Sequence, residues 1–141
     1  MKRLSPFLLF TILLGIAGCK TNQFNPEGKR HGRWVFTDTL GTHIYKYGGR
    51  FRNGIERGTW KYYFDDKLSR KEKYRKDISH NTFFYPNGKI MSQGKAQLDV
   101  SETEIHWYYF GDWQYFDENG KLTVVKTYEK GKEVKFHKVE E

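Results

Sequence analysis

The strongest constraint on this chain is a twelve-residue unit that it repeats, clearest in Gly111-Asp112-Trp113-Gln114-Tyr115-Phe116-Asp117-Glu118-Asn119-Gly120-Lys121-Leu122. It holds a glycine, an aromatic run, a turn and the start of a new strand. Gly58-Thr59-Trp60-Lys61-Tyr62-Tyr63-Phe64 is a second copy, closed by Asp65-Asp66-Lys67-Leu68, and Gly32-Arg33-Trp34-Val35-Phe36 opens another. In Asn81-Thr82-Phe83-Phe84-Tyr85-Pro86-Asn87-Gly88-Lys89-Ile90 the aromatics and the Asn-Gly-Lys-aliphatic ending persist, but Asn81 falls under Trp113, and Phe83 and Phe84 fall under Tyr115 and Phe116. A unit this short cannot bury its own apolar face, since a lone hairpin is marginal in water; stacked edge to edge, several can.

Trp60, Tyr62 and Phe64 alternate with Lys61 and Tyr63, so one face of the strand is apolar. Second strands follow each unit, as in Leu68–Tyr74 and Leu122–Tyr128. Asn53-Gly54, Asn87-Gly88 and Asn119-Gly120 supply positive φ cheaply, which predicts primed hairpin turns. No window of helical length carries a 3.6-residue stripe. These signals predict a mostly β fold, an antiparallel meander of repeated hairpins, in one domain over residues 29–141. Spacings of 26, 21 and 32 residues from Trp34 to Trp60, Asn81 and Trp113 make the array irregular, with an acidic insertion at Gln97–Ile105. That insertion is either a functional loop or a longer excursion between strands.

The amino terminus reads as an export signal. Lys2 and Arg3 precede an apolar run from Phe7 to Ala17, eleven residues long, where about 20 are needed to span a bilayer. It ends in Ile16-Ala17-Gly18-Cys19, which resembles the lipobox of bacterial lipoproteins, and Cys19 is the only cysteine in the chain. The resemblance implies acylation of Cys19 and cleavage just before it, with residues 1–18 removed and 19–28 left as a short polar tether. Membrane attachment through more than one acyl chain is stable, at about 0.8 kcal/mol per buried CH₂. Maturation takes away Lys2 and Arg3 and no acidic residue, so the formal charge falls from +8 to +6. The remaining basic residues are spread along the chain, which fits a solvated sheet surface, or weak attraction to anionic head groups.

The pattern Gly-x-Trp-x-Tyr-aromatic, then acidic residues, Asn-Gly-Lys-Leu and a basic strand resembles the MORN-variant repeats of bacterial proteins. It is carried by Gly58–Leu68 and Gly111–Leu122, and more weakly by Gly32–Phe36 and Asn81–Ile90. The resemblance implies a MORN-like open sheet of hairpins without a catalytic centre. It also implies a possible antitoxin role, since some members of that family are regarded as antitoxins of toxin–antitoxin systems.

Reaction chemistry finds little support in the residue pattern. The histidines at 31, 43, 80, 106 and 137 are scattered without metal-ligand spacing. Asp65-Asp66 and Asp117-Glu118 are carboxylate pairs of the kind glycosidases use, yet each lies where a turn is predicted, and turns attract Asp for backbone reasons. No catalytic residue, cofactor or metal is expected. Aromatics interleaved with Lys and Arg can stack bases or sugars. Trp34, Trp60 and Trp113 recur with the repeat and are assigned to the core, and no nucleic-acid partner is expected. His106-Trp107-Tyr108-Tyr109-Phe110 lies outside the recurring register and places bulky rings on both faces of a strand, marking a partner surface.

The expectation is a non-enzymatic, lipid-anchored protein of the bacterial envelope, outside the cytoplasm, binding a protein or an envelope polymer. An antitoxin or immunity-type protein and an envelope glycan-binding or glycan-processing protein are the alternatives. Rescue from a co-expressed toxin would favour the first of these. Cys19→Ser is expected to shift the protein from the membrane fraction to the soluble fraction; sedimentation with membranes after a salt wash would contradict lipid anchoring.

Overall fold

The computed structural model describes residues 20–101 and 104–140. The signal segment, including Ile16, Ala17, Gly18 and Cys19, lies outside the described residues. Within them the chain forms β1 (Gln23–Phe24), β2 (Arg30–Leu40), β3 (His43–Arg52), β4 (Ile55–Phe64), β5 (Lys67–Arg75), β6 (Ile78–Phe84), β7 (Ile90–Val100), β8 (Ile105–Phe116), β9 (Leu122–Glu129) and β10 (Lys132–Lys138). They make one sheet in chain order, every neighbour antiparallel. The expected meander of hairpins is the architecture. The Gln97–Ile105 insertion lengthens the β7–β8 hairpin, whose ladder continues to Val100 and Ile105.

The segment 20–28 does more than lead into the sheet. Asn25 and Lys29 close a three-residue loop through Asn25 N–H to Lys29 O, with Gly28 N–H donating to Asn25 O. The same two bonds recur at Tyr85–Lys89 and Asp117–Lys121. In these loops only the glycine, Gly28, Gly88 or Gly120, has positive φ. A primed turn at Asn87-Gly88 and Asn119-Gly120 is therefore not what forms, because an extra loop residue makes a turn with a single left-handed glycine. Asn53 and Gly54 both have positive φ, at 52° and 84°, and that two-residue turn is of the primed kind.

The glycine of each Gly-x-Trp unit explains how the indoles are seated. Gly32, Gly58 and Gly111 have φ of 75°, 67° and 64°, and the ladders slip beside Gly58 and Gly111. Such a bulge tips the following tryptophan back across the preceding strand. Trp60 lies flat on Gly49 of β3 and donates its indole N–H to Arg50 O at 3.1 Å; Trp113 lies on Gly94 of β7 and donates to Lys95 O at 3.0 Å. Trp34 donates to Gln23 O of β1 at 3.1 Å, with Phe24 packed edge-on against it at 5.1 Å. The three indoles are only 6%, 2% and 1% exposed at 34, 60 and 113, so they are core.

All of these rings stand on one face, where Trp34, Phe36, Tyr47 and Tyr62 stack in a row with Phe51 and Trp60 behind them. Each such pair adds about 0.5–1.5 kcal/mol beyond its buried area. The face is concave: Tyr74 of β5 and Trp107 of β8 have ring centroids 5.0 Å apart, although β6 and β7 lie between them and three strand spacings span about 14 Å. Small inward residues on those two strands, Ser79, Asn81, Ser92, Gly94 and Ala96, let the sheet fold in.

The opposite face is polar and basic. Lys61 stands beside Lys71, and Lys73 beside His80, which neighbours Lys95, all exposed. Much of the basicity spread through the sequence thus lies on the outer side, while Arg30, Arg70 and Lys126 stand over inner-face rings. The sheet edges are a two-residue strand and the lysine-bearing β10, both poor templates for further pairing.

A Cβ on Gly94 would stand 2.2 Å from Trp113 Cδ2, and one on Gly49 2.4 Å from Trp60 Cγ. Gly94→Ala and Gly49→Ala are each expected to cost about 1–3 kcal/mol in urea denaturation. Trp60→Ala and Trp113→Ala should cost about 3–5 kcal/mol. In the Trp113→Ala background Gly94→Ala should lose most of its effect, because the two residues are one contact.

Candidate functional site: a polar cleft on the inner face

The third unit breaks the indole pattern on three counts. Ser79 occupies the place of the bulge glycine, Asn81 that of tryptophan, and Glu72, opposite Asn81, stands where β3 and β7 carry a glycine. Without the bulge the β5–β6 ladder runs in regular register from Arg70–Phe83 to Arg75–Ile78. The absent indole leaves a cleft of about 280 Å³ on the concave face. Its floor is Ser79, Asn81 and Ala96; Tyr62, Arg70, Glu72 and Tyr74 rise on one side, Trp107 and Tyr109 on the other, and Phe83 closes one end.

Glu72 is 8% exposed and organises one wall. Its Oε2 accepts hydrogen bonds from Tyr62 at 2.7 Å and Tyr74 at 2.5 Å, while Arg70 Nε lies 3.5 Å from Oε1. The Arg70 guanidinium rests 3.7 Å over the Tyr62 ring. Burial, then the Glu72 charge and its hydrogen bonds, push the Tyr62 and Tyr74 hydroxyls far above their ordinary 10.0. Glu56, at the start of β4, also faces inward. Burial raises its carboxyl and the Glu72 charge adds to the rise, while its own backbone N–H, the Arg30 charge and the Trp107 indole N–H facing it lower it.

Among the described residues, three buried side-chain polar atoms have no hydrogen-bond partner in the protein: Arg70 Nε, Asn81 Oδ1 and Trp107 Nε1. All three belong to residues of this cleft. Buried polar atoms are almost always bonded, so the packing of this sheet departs furthest from the rule at the third unit, where Arg70 Nε has only the 3.5 Å ion pair to Glu72.

The His106–Phe110 cluster is divided by the pleat of β8. Trp107 and Tyr109 face the cleft, Tyr109 stacking on Trp113 at 3.9 Å. His106, Tyr108 and Phe110 face outward, where Tyr108 and Phe110 line a shallow depression with Thr127 and Lys132. Arg70, Glu72, Tyr74 and Asn81 carry no signal of a site in the linear sequence. Glu72 sits within Lys71-Glu72-Lys73, which reads as a solvated run, and its burial depends on pairing with Asn81. The available signal is the loss of the tryptophan at position 81.

Of the four turn carboxylates, Asp65 and Asp117 are bonded to backbone and Asp66 pairs with Lys46 at 2.9 Å. Asp65 accepts from Ile44 N–H and pairs with His43 at 2.6 Å, and Asp117 accepts from Asn119 and Lys121 N–H. Those backbone bonds hold both carboxyls below the ordinary aspartate range. No group of three His, Cys, Asp or Glu among the described residues is placed to hold a metal ion.

Because the folded state keeps the Tyr62 and Tyr74 protons that the unfolded chain releases near pH 10, stability should be intact below that pH and fall above it. Tyr74→Phe should reduce the slope of unfolding free energy against pH by about 1.4 kcal/mol per unit. Denaturant titrations between neutral and strongly alkaline pH check this.

No family model matches the chain, and neither a curated protein nor a solved structure matches it.

Proposed function

We propose that this protein is a non-enzymatic binding module of the bacterial envelope, held outside the cytoplasm by a lipid on Cys19, whose inner face engages a protein or an envelope polymer. The observation that carries the reading is the cleft at Asn81, a polar floor inside an aromatic concavity at the one unit that lacks its indole. Binding is favoured over hydrolysis by the state of the carboxylates: Glu72 is taken up by two phenols, and Asp65 and Asp117 by their turns. The export signal ending in Cys19 supports the placement, and the resemblance to MORN-variant repeats supports a module built for contact.

A photo-crosslinking phenylalanine analogue replacing Tyr109, 36% exposed at the cleft rim, tests this in intact cells. Light-dependent attachment to an envelope component is expected there, and not from the same analogue at Lys61 on the outer face. No adduct at 109, or equal adducts at both positions, would contradict the assignment of the inner face.

A further inference from the structure

The outer face carries a charge arrangement that the cleft does not use. We propose that it binds a flexible linear polyanion, a polymer with an anionic group on each repeat, laid across strands β2 to β7. The proposal stands or falls separately from the inner-face reading.

Arg33 stands opposite Arg50 and Lys61 opposite Lys71, while Lys73 and Lys95 lie on either side of His80. All six cations are exposed, and none has an ion pair or side-chain hydrogen bond among the described residues. Like charges set opposite one another weaken a sheet, so the fold gains nothing from this arrangement. The carboxylates of these strands are directed elsewhere. Asp38, Glu56 and Glu72 share the inner face with Tyr45, Phe51 and Trp60, their cross-strand partners, Asp66 is paired with Lys46, and Asp99 stands beyond Lys95, about 13 Å along β7. Between Arg33, Arg50 and Lys61 a hollow of about 540 Å³ opens over Gly48, where a Cβ would stand 2.5 Å from Trp34 O. An oxyanion seated there is flanked by three cations.

Shape selects a flexible chain. The inner face is concave, so the cations follow a convex arc of five strand spacings, about 24 Å. A flat bilayer meets only the crest of such an arc, whereas a flexible chain follows it from end to end. Nucleic acid is disfavoured by the outward neighbours of the cations, which are Val35, Thr59, Thr82 and Gln93 in place of the rings on which bases stack. The contact is made by charge alone. The apolar crosslinker at Lys61, which removes one of the cations, is therefore not expected to capture the polymer, and the comparison of positions 61 and 109 is unaffected.

Calorimetric titration of the full chain with long-chain inorganic polyphosphate, at several salt concentrations, tests the proposal. Saturable binding is expected, with log affinity falling against log salt at a slope of about −4 for six cations. Lys61→Gln, Lys71→Gln and Lys73→Gln together should make that slope shallower by about 2 and lower the affinity at least about tenfold. The melting temperature of this triple variant should be no lower than that of the native chain, since the lysines it removes oppose one another. Lys130→Gln, Lys132→Gln and Lys138→Gln remove the same charge at the β10 edge, farther than a Debye length, and should change the affinity by no more than about threefold. No saturation, or equal losses in the two triple variants, would overturn the proposal. Vesicles of phosphatidylglycerol, or oligothymidylate, bound more tightly than polyphosphate at equal phosphate concentration would also overturn it, in favour of a bilayer or of nucleic acid.

Discussion

The fold depends on one contact used three times: an indole tipped across the preceding strand and hydrogen-bonded to a carbonyl there. Its requirements are strict. A left-handed glycine two residues before the tryptophan makes the bulge, and at Trp60 and Trp113 a second glycine on the neighbouring strand leaves room for the ring. The indole N–H satisfies itself on the strand it covers, so a large side chain is buried with no orphan donor. Because the ring overlies the neighbouring strand, it ties successive strands together through side chains as well as through the ladder. A sheet with no second layer among the described residues is held by that overlap and by the aromatic stacks beside it.

Against this background the third unit is where local rules and fold stability part. Ser79, Asn81 and Glu72 replace the glycine, the indole and the seat, and together they exchange a well-packed ring for a buried polar wall. The sequence breaks its own repeat at this one place, and there it departs from the packing that the other units achieve. The two phenols on Glu72 hold that wall in one arrangement. The same sheet separates its chemistries: the aromatic stacks and the buried polar wall lie inside, exposed lysines outside.

Much of the architecture was legible because strands and hairpins write themselves into short-range patterns. The two-residue alternation around Trp60 and the spacing of Asn-Gly-Lys endings defined the meander, and the three recurring tryptophans are core. What was not legible depended on register and curvature. Two of the three Asn-Gly pairs sit in three-residue loops, which differ from a primed turn by one residue. Glu72, between two lysines, shows its burial only when paired with Asn81. Trp107 reaches Tyr74 only because small residues on β6 and β7 let the sheet curl, a consequence of four strands at once. For the same reason the aromatic run 106–110 hides in the sequence that only Trp107 and Tyr109 face the cleft.

The central claim is that the polar floor of the cleft serves a ligand and not the fold. Asn81→Leu tests it most directly, since it replaces a buried amide whose oxygen has no partner with an apolar side chain of similar size. The measurement is the unfolding free energy from urea denaturation. The account predicts a variant more stable than the native chain by about 1–3 kcal/mol, the cost of leaving a buried polar group unsatisfied. A variant clearly less stable than the native chain would show that Asn81 holds the sheet together, and would contradict the account.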